Sequence, residues 1–121
     1  ARLTISAQHQ RNPAYVQLSD GHLRNGFTVK VRNMETRPRD MEISLVGLPG
    51  AVMWTQGGSR ESAGSTVRTT VPADALAKLP IFVAAPGSGQ AHEDFAFAVR
   101  TVDGKESHST EAVFERPGTG Q

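Results

Sequence analysis

The chain has no cysteine among its 121 residues. Disulfide bonds, cysteine-ligated zinc, iron–sulfur clusters and thiol nucleophiles are therefore excluded as properties of this chain. Long apolar runs are missing as well, since even Ile81–Ala85, five residues and unsurpassed in length, is far shorter than the roughly 20 residues of a membrane-spanning helix. The chain starts at Ala1 with neither an initiator methionine nor an apolar leader, which predicts a processed chain or a part of a longer one.

An excess of one charge sign is also absent. The chain has 13 lysines and arginines against 12 aspartates and glutamates, which gives a net charge of +1. Proteins that bind nucleic acids usually display a strongly basic surface. The densest basic spot, Arg37-Pro38-Arg39, is followed at once by Asp40 and then Glu42, a pattern typical of a solvated loop. We expect no nucleic-acid partner.

Alternation of apolar and polar residues is the main positive signal, and it is typical of half-buried strands. Twelve glycines and seven prolines divide the alternating segments into short pieces. The predicted strands, of which the first two could also be one kinked edge strand, are Leu3–Ala7, Tyr15–Leu18, Leu23–Asn33, Met41–Val46, Ala51–Thr55, Thr66–Val71, Leu79–Ala85, Phe95–Val102 and Glu106–Phe114.

Strands of this number and spacing predict an all-β fold, an antiparallel sandwich of about seven to nine strands, with an open barrel as the alternative. We expect one domain over residues 1–116 and a flexible tail over 117–121. The predicted core consists of Phe27, Val29, Val31, Ile43, Leu45, Trp54, Val83, Phe95, Phe97 and Val99.

Two connections carry more specific predictions. Asp103-Gly104 predicts a tight hairpin with a two-residue turn, in which both residues have positive φ angles. The segment Pro72–Leu79 contains good helix formers, but Pro80 limits it to a single helical turn that leads into a strand.

The sequence nominates no catalytic, cofactor or metal site. His9, His22, His92 and His108 are scattered, and the neighbours in His92-Glu93-Asp94 would point to opposite faces of a strand. Of the three methionines, Met41 follows the core alternation and Met53 lies in a predicted strand, which favours packing over copper binding. No nucleophile elbow or phosphate loop is present. We expect a chain that is not an enzyme.

One ordered set of motifs resembles a known family. The set comprises Arg11-Asn12-Pro13, Tyr15–Gly21, Leu23–Asn33 and Leu45–Gly50, followed by Val71–Asp74, Ile81–Pro86 and, more weakly, Ser109–Phe114. It is similar to the C-terminal immunoglobulin-like domain of the FixG/CcoG-type cytochrome c oxidase accessory proteins. The motif positions that carry the resemblance are Arg11, Asn12, Pro13, Asp20, Gly21, Asn25, Gly26, Asn33, Gly47 and Pro49.

The resemblance implies a setting for the chain. Proteins of this family lie in the bacterial inner membrane, carry cysteine-ligated [4Fe–4S] clusters in a ferredoxin-like part, and serve maturation of the cbb3-type oxidase with copper handling as the suspected chemistry. The immunoglobulin-like domain follows the last membrane helix on the periplasmic side. The implied partners are oxidase-assembly proteins and the parent membrane domain. The cluster cysteines have no counterpart here, so no cofactor is expected in this chain.

The motif residues themselves predict local structure. Pro13 should hold Asn12 extended and kink the edge strand, which would let it switch sheets. Asp20-Gly21 predicts a turn in which the Asp20 carboxylate accepts backbone N–H groups. Gly26 predicts a bulge or a close approach, with Asn25 hydrogen-bonded to neighbouring backbone.

Three functions remain open at this stage. The favoured one is a non-catalytic periplasmic domain that acts by protein–protein contact during oxidase assembly. The second is a ligand- or glycan-binding sandwich, which needs an exposed Trp54 beside a groove, whereas burial of Trp54 against Phe27 or Ile43 would favour the first. The third is a periplasmic copper-relay domain. The sequence does not predict the oligomeric state.

Overall fold

A computed structural model describes residues 2–118, which form nine strands and one short 3-10 helix. Residues 119–121, most of the predicted tail, lie outside the described part of the chain, and Pro117 and Gly118 are exposed and belong to no element. The strands are β1 (Leu3–His9), β2 (Val16–Gln17), β3 (Leu23–Asn33), β4 (Arg39–Val46), β5 (Val52–Thr55), β6 (Thr66–Val71), β7 (Ala75–Ala85), β8 (His92–Thr101) and β9 (Ser107–Glu115), with the 3-10 helix at Arg60–Ser62.

Two antiparallel sheets pack face to face. The first sheet has the order β1-β3-β7-β5, with β2 also paired to β3, and the second has the order β6-β4-β8-β9. The predicted sandwich is therefore confirmed and the barrel alternative is wrong. Across residues 2–118 no helix is both long and apolar enough to span a membrane.

The core lies between the two sheets, on the alternate positions that the sequence pattern selects. Phe27 is central, because its ring meets both Phe95 and Phe97 edge to face at centroid distances of 5.7 and 5.2 Å. Of the predicted core, Leu45 is only half-buried, and Trp54 is buried but lies outside the main cluster. The other eight predicted residues, Phe27, Val29, Val31, Ile43, Val83, Phe95, Phe97 and Val99, belong to that cluster.

The edge of the first sheet corrects the prediction for Asn12-Pro13. β1 and β2 do not switch sheets, since both pair with β3. Asn12 is not extended but has φ +64°, a left-handed conformation that an asparagine side chain tolerates, and the Asn12–Pro13 peptide bond is cis. The five residues 11–15 loop out between the two strands, opposite Asn25 of β3. β1 and β2 thus form one interrupted edge strand.

The predicted helical turn at Pro72–Leu79 is wrong. Ala73 and Asp74 form a turn, and the chain is extended from Ala75 onward. The reason is tertiary: every residue of β7 pairs with a residue of β3, from Ala75 opposite Asn33 to Ala85 opposite Leu23. Pairing along the whole strand outweighs the helix preference of its alanines, leucines and lysine.

The β8–β9 hairpin is confirmed, but its turn is longer than predicted. The backbone N–H of Thr101 donates to the carbonyl of Glu106, so residues 102–105 form the loop. Gly104 has φ +77°, whereas Asp103 does not have a positive φ. The Asp103 carboxylate instead accepts hydrogen bonds from the Thr101 hydroxyl at 2.7 Å and the Lys105 N–H at 3.0 Å, which hold the wider loop.

Candidate interaction surface

Asn25 occupies a buried polar position near one end of the inward face of β3, next to Leu23. Its side-chain N–H donates to the carbonyl of Glu115 at 3.0 Å, and its carbonyl oxygen accepts the N–H of Glu115 at 2.7 Å. The ring of His9 contacts the same oxygen through Nε2 at 2.6 Å. The expected pairing of Asn25 with backbone is therefore confirmed, and the partner is β9 of the opposite sheet.

Gly26 is a site of close approach rather than a bulge. The register of β3 against β7 runs through it without interruption, and the inserted residues belong to the partner edge strand. A Cβ atom at Gly26 would lie 2.5 Å from Oε1 of Gln10 and 3.2 Å from Nε2 of Gln56. These two glutamine side chains cross the strand where the glycine leaves room.

Asn33 occupies the equivalent polar position at the other end of β3. Its side-chain N–H group contacts the carbonyls of Arg37, Val71 and Pro72 at 2.9–3.1 Å. Its oxygen accepts the Nε–H of Arg39 at 2.9 Å. Asn33 thereby holds the end of the first sheet against the second.

Arg39 extends this link and corrects one part of the predicted solvated basic loop, since Arg37 and Pro38 are exposed as expected but Arg39 is not. It begins β4 and is only 7% exposed. Its guanidinium donates to the Arg2 carbonyl at 2.7 Å and to Oε2 of Glu106 at 2.5 Å. The pKa of Glu106 is lowered, first by the N–H of Arg2 and then by the Arg39 side chain. We call Asn33, Arg39 and Glu106 the rim clamp.

The remaining motif residues lie in exposed turns. Asp20 accepts the N–H of His22 at 3.0 Å, as expected, and also pairs with Arg60 at 2.8 Å. These contacts, the His22 N–H first, lower the pKa of Asp20. Gly47 has φ +83°, which suits a glycine. The other exposed motif residues are Arg11, Asn12, Pro13, Gly21 and Pro49.

The structure does not gather the histidines into a metal site. Among residues 2–118 no group of three or more histidine, cysteine, aspartate or glutamate side chains is placed to hold a metal ion. His92 pairs with Glu115 at 2.7 Å, and Nδ1 of His108 meets the N–H of Ile5 at 2.9 Å. Met41 and Met53 are fully buried in the core, which is the packing role that the sequence predicts.

Trp54 is buried, but not against Phe27 or Ile43. It is 5% exposed and packs on Phe82 at a centroid distance of 5.7 Å, outside the main core cluster. Phe82 also lies under the guanidinium of Arg24, 4.0 Å from the ring centroid. With so little of its ring accessible, Trp54 offers no platform for stacking a sugar or other ligand.

Charge is distributed unevenly between the two sheets. No strand of the first sheet contains an aspartate or glutamate, whereas the strands of the second sheet contain six. The first sheet carries four cations, all at outward positions, and we call this surface the cationic face. It consists of Arg24, Lys30, Arg32 and Lys78.

The near-zero net charge of the chain conceals this separation. Net charge and the densest basic spot do not reveal it, because the assignment of strands to sheets is needed before the asymmetry becomes visible. The usable signal was local: the segments 23–33 and 75–85 are each free of acidic residues.

Comparison with protein families places the chain clearly. A family profile described as the IG-like fold at the C terminus of FixG, a proposed oxidoreductase, matches residues 1–117. The nitrogen fixation protein FixG of Rhizobium meliloti is 33% identical over 119 residues, which is 97% of this chain and 22% of that protein. Protein RdxB of Cereibacter sphaeroides is 34% identical over 83 residues, 69% of this chain and 16% of RdxB.

The same fold occurs in a solved structure. The crystal structure of a FixG-related protein from Vibrio parahaemolyticus superimposes with a TM-score of 0.75 at 17% identity, covering 96% of this chain and 97% of that one. The chain spans about a fifth of the length of the curated relatives that it matches.

Proposed function

Because the chain belongs to the family of immunoglobulin-like domains at the C terminus of FixG, we propose that it is a non-catalytic contact domain of a membrane-bound oxidase-maturation protein. In this proposal the domain lies on the periplasmic side of the bacterial inner membrane. It acts by protein–protein contact during assembly of the cbb3-type oxidase. Electron transfer belongs to another part of the parent protein.

The observation that carries the proposal is the extent of the match. The family profile covers residues 1–117, yet the alignment accounts for only 22% of the rhizobial relative. The chain therefore corresponds to one module of a much longer protein, and that module is named for its fold at the C terminus. The [4Fe–4S] clusters that the resemblance implies do not fit this chain, because it has no cysteine to ligate them.

The charges on the two outward sheet faces support a contact role. Small sandwiches hold a rigid core and present flat sheet faces, which suits them to bind other proteins. Here one outward face carries four cations and the other a mixture of charges. Buried hydrogen bonds of Asn25 and Asn33 to residues of the second sheet hold the two sheets together.

Deletion of the domain from a full-length family member tests the proposal. The expected result is lower cbb3-oxidase activity, with the truncated protein still present in the membrane. Oxidase activity and oxidase copper content would be measured in the same cells. Unchanged activity on deletion would contradict a contact role in maturation.

No observation favours the two alternatives. A glycan-binding role needs an accessible Trp54, and the structure buries it. A copper relay needs convergent ligands; Met41 and Met53 are fully buried, and residues 2–118 hold no group of three or more histidine, cysteine, aspartate or glutamate side chains placed for a metal ion. Titration of cuprous and cupric ions into the chain checks the second point, and affinity no better than about 1 mM would end the copper-relay alternative.

A further inference from the structure

The cationic face lacks any internal counter-charge. Among residues 2–118 the salt bridges involve Arg2, Arg39, Arg60, Arg68, Arg100, Arg116 and two histidines, but none of the four cations of this face. No strand of the first sheet supplies a carboxylate to neutralise them. The nearest acids in sequence, Asp20, Glu35 and Asp74, lie in the connections between strands, and Asp20 is paired with Arg60.

Three of these cations are grouped by the strand register. Lys30 of β3 is the direct partner of Lys78 of β7, and Arg32 lies two residues along the same face. Like charges directly opposite each other on a sheet destabilise it. The arrangement is therefore unfavourable in the isolated chain, and an anionic partner would relieve the repulsion.

A second copy of the chain, which would offer the acids of its second sheet, is poorly suited to be this anionic partner. Glu42 already binds both Arg68 and Arg100. Glu93 binds Arg116, and Glu115 binds His92. Three of the six carboxylates on that sheet are thus committed within their own molecule, and stacking one copy on another would compete with these pairs.

We infer that the cationic face docks an acidic protein segment in extended conformation. Lys30 and Arg32 are two residues apart on one strand, a separation of about 6.6 Å that equals the repeat of alternate side chains in an extended chain. Such a segment can place successive carboxylates over both residues and over Lys78. The inference rests on the proposed contact function and specifies its surface and partner class.

A binding measurement on the 121-residue chain tests the surface directly. The probe is a fluorescein-labelled octapeptide of alternating glutamate and threonine, and its glutamine counterpart is the uncharged control. We expect the glutamate peptide to bind with an affinity that falls as salt rises, and the glutamine peptide to bind at least tenfold more weakly. Absence of binding at low salt would overturn the inference.

Two variants with the same change in net charge distinguish an effect of the cationic face from an effect of overall charge. The triple variant Lys30→Gln, Arg32→Gln, Lys78→Gln should bind the peptide about tenfold more weakly, since it removes three of the four cations. The triple variant Arg37→Gln, Arg68→Gln, Lys105→Gln loses the same charge elsewhere and should bind within about twofold of the unmodified chain. Equal losses of peptide affinity in the two variants would contradict binding at a localised surface. Thermal unfolding of both variants confirms that they fold.

Two further binding measurements would identify a different ligand of the cationic face if the inference is wrong. Vesicles of phosphatidylglycerol and phosphatidylcholine that bind the chain when the peptide does not would show a bilayer-binding face. Preferential binding of a single-stranded oligonucleotide would show a nucleic-acid face. Each result contradicts the docking of an acidic segment.

Different results would contradict the proposed contact function and the proposed binding surface. If domain deletion lowers oxidase activity in a full-length family member while the cationic-face triple variant does not, the contact function stands and the surface is wrong. If deletion itself has no effect, the proposed function is wrong whatever the peptide measurement shows.

Discussion

At the level of single residues, the two buried asparagines of β3 are the most informative side chains. Asn25 and Asn33 are the two polar residues on the otherwise apolar inward face, with Leu23 beyond Asn25, and each bonds groups of the opposite sheet or its connections. Buried amides are costly unless paired, and among the described residues no buried side-chain polar atom lacks a partner. Both asparagines therefore fix how the sheets meet.

Replacement of Asn25 by alanine should lower the free energy of unfolding by about 1–3 kcal/mol. The substitution leaves the N–H and the carbonyl of Glu115 without their buried partner. Urea unfolding followed by circular dichroism measures the change. Gln8→Ala, at an exposed position of β1, is the control and should change stability by less than about 0.5 kcal/mol. Equal effects of the two substitutions would contradict the role assigned to Asn25.

Two glycines should respond differently to alanine. A Cβ atom at Gly87 would collide with the backbone carbonyl of Gly21, whereas at Gly26 it would meet the end of the Gln10 side chain, which can move aside. We therefore expect Gly87→Ala to cost about 1–3 kcal/mol and Gly26→Ala less than about 1 kcal/mol. Thermal unfolding of the two variants checks the order, and the reverse order would show that the loop carrying Gly21 yields more easily than the glutamine.

Sequence reasoning reached some of these residues and not others. Asn25 was predictable as a paired polar residue because its position interrupts an apolar face. Its partner was not, since Glu115 lies 90 residues away in the chain. For Gly87 the sequence predicted only a glycine-rich turn. The close approach at this glycine was not predictable, because it involves the carbonyl of Gly21 in another connection.

At the level of elements, the rim clamp joins β3 and β4 to the β8–β9 connection. Arg39 is buried in this clamp, and its charge is compensated by Glu106 and by carbonyl oxygens. A buried arginine without its carboxylate would be strongly unfavourable. The clamp therefore links stability to the ionisation of Glu106.

Acid should destabilise the chain partly through Glu106. Its pKa in the folded state lies below the ordinary value of 4.5, so the ionised form stabilises the fold above that value, and the stabilisation is lost as the pH falls through the lowered pKa. Glu106→Gln should be less stable than the unmodified chain at pH 7, and the difference should narrow at acid pH. Urea unfolding between pH 7 and pH 2 measures it.

A second glutamate serves as the control for this experiment. Glu111→Gln, at an exposed position of β9, removes one carboxylate without touching the clamp. A constant difference between Glu106→Gln and the unmodified chain across the whole pH range would show that Glu106 acts through packing alone.

The elements show where local pattern suffices and where it does not. Strands such as β3 and β6 match their predicted bounds, because apolar and polar residues alternate along most of each strand, with Asn25 and Asn33 as the polar exceptions on the inward face of β3. The first four residues of β7, 75–78, were missed, since the helix preference of this segment is outweighed by pairing with β3. The hairpin loop differs because Asp103 bonds Thr101 and Lys105 rather than adopting the conformation of a two-residue turn.

At the level of the whole molecule, the sandwich separates charge that its composition balances. The first sheet has cations and no acids on its strands, while the second has an acidic excess. Electrostatic attraction between proteins depends on such local potentials rather than on net charge. The face is thus available for contact although the formal net charge is only +1.

Ion-exchange behaviour should report this separation. At pH 8.5, near the isoelectric point of the sequence, the unmodified chain should still be retained on a sulfonate cation exchanger, because the cationic face can orient toward the resin. The Lys30→Gln, Arg32→Gln, Lys78→Gln variant should elute at lower salt than the Arg37→Gln, Arg68→Gln, Lys105→Gln variant. Elution of both at the same salt would indicate that only net charge matters.

The central claim is that this chain supplies a contact surface, while redox chemistry resides elsewhere in the parent protein. Purification of a full-length family member with and without this domain, followed by measurement of co-purified oxidase subunits and of iron–sulfur cluster content, tests it most directly. The account predicts that removal of the domain abolishes co-purification and leaves the clusters intact. Undiminished co-purification together with loss of the clusters would contradict it.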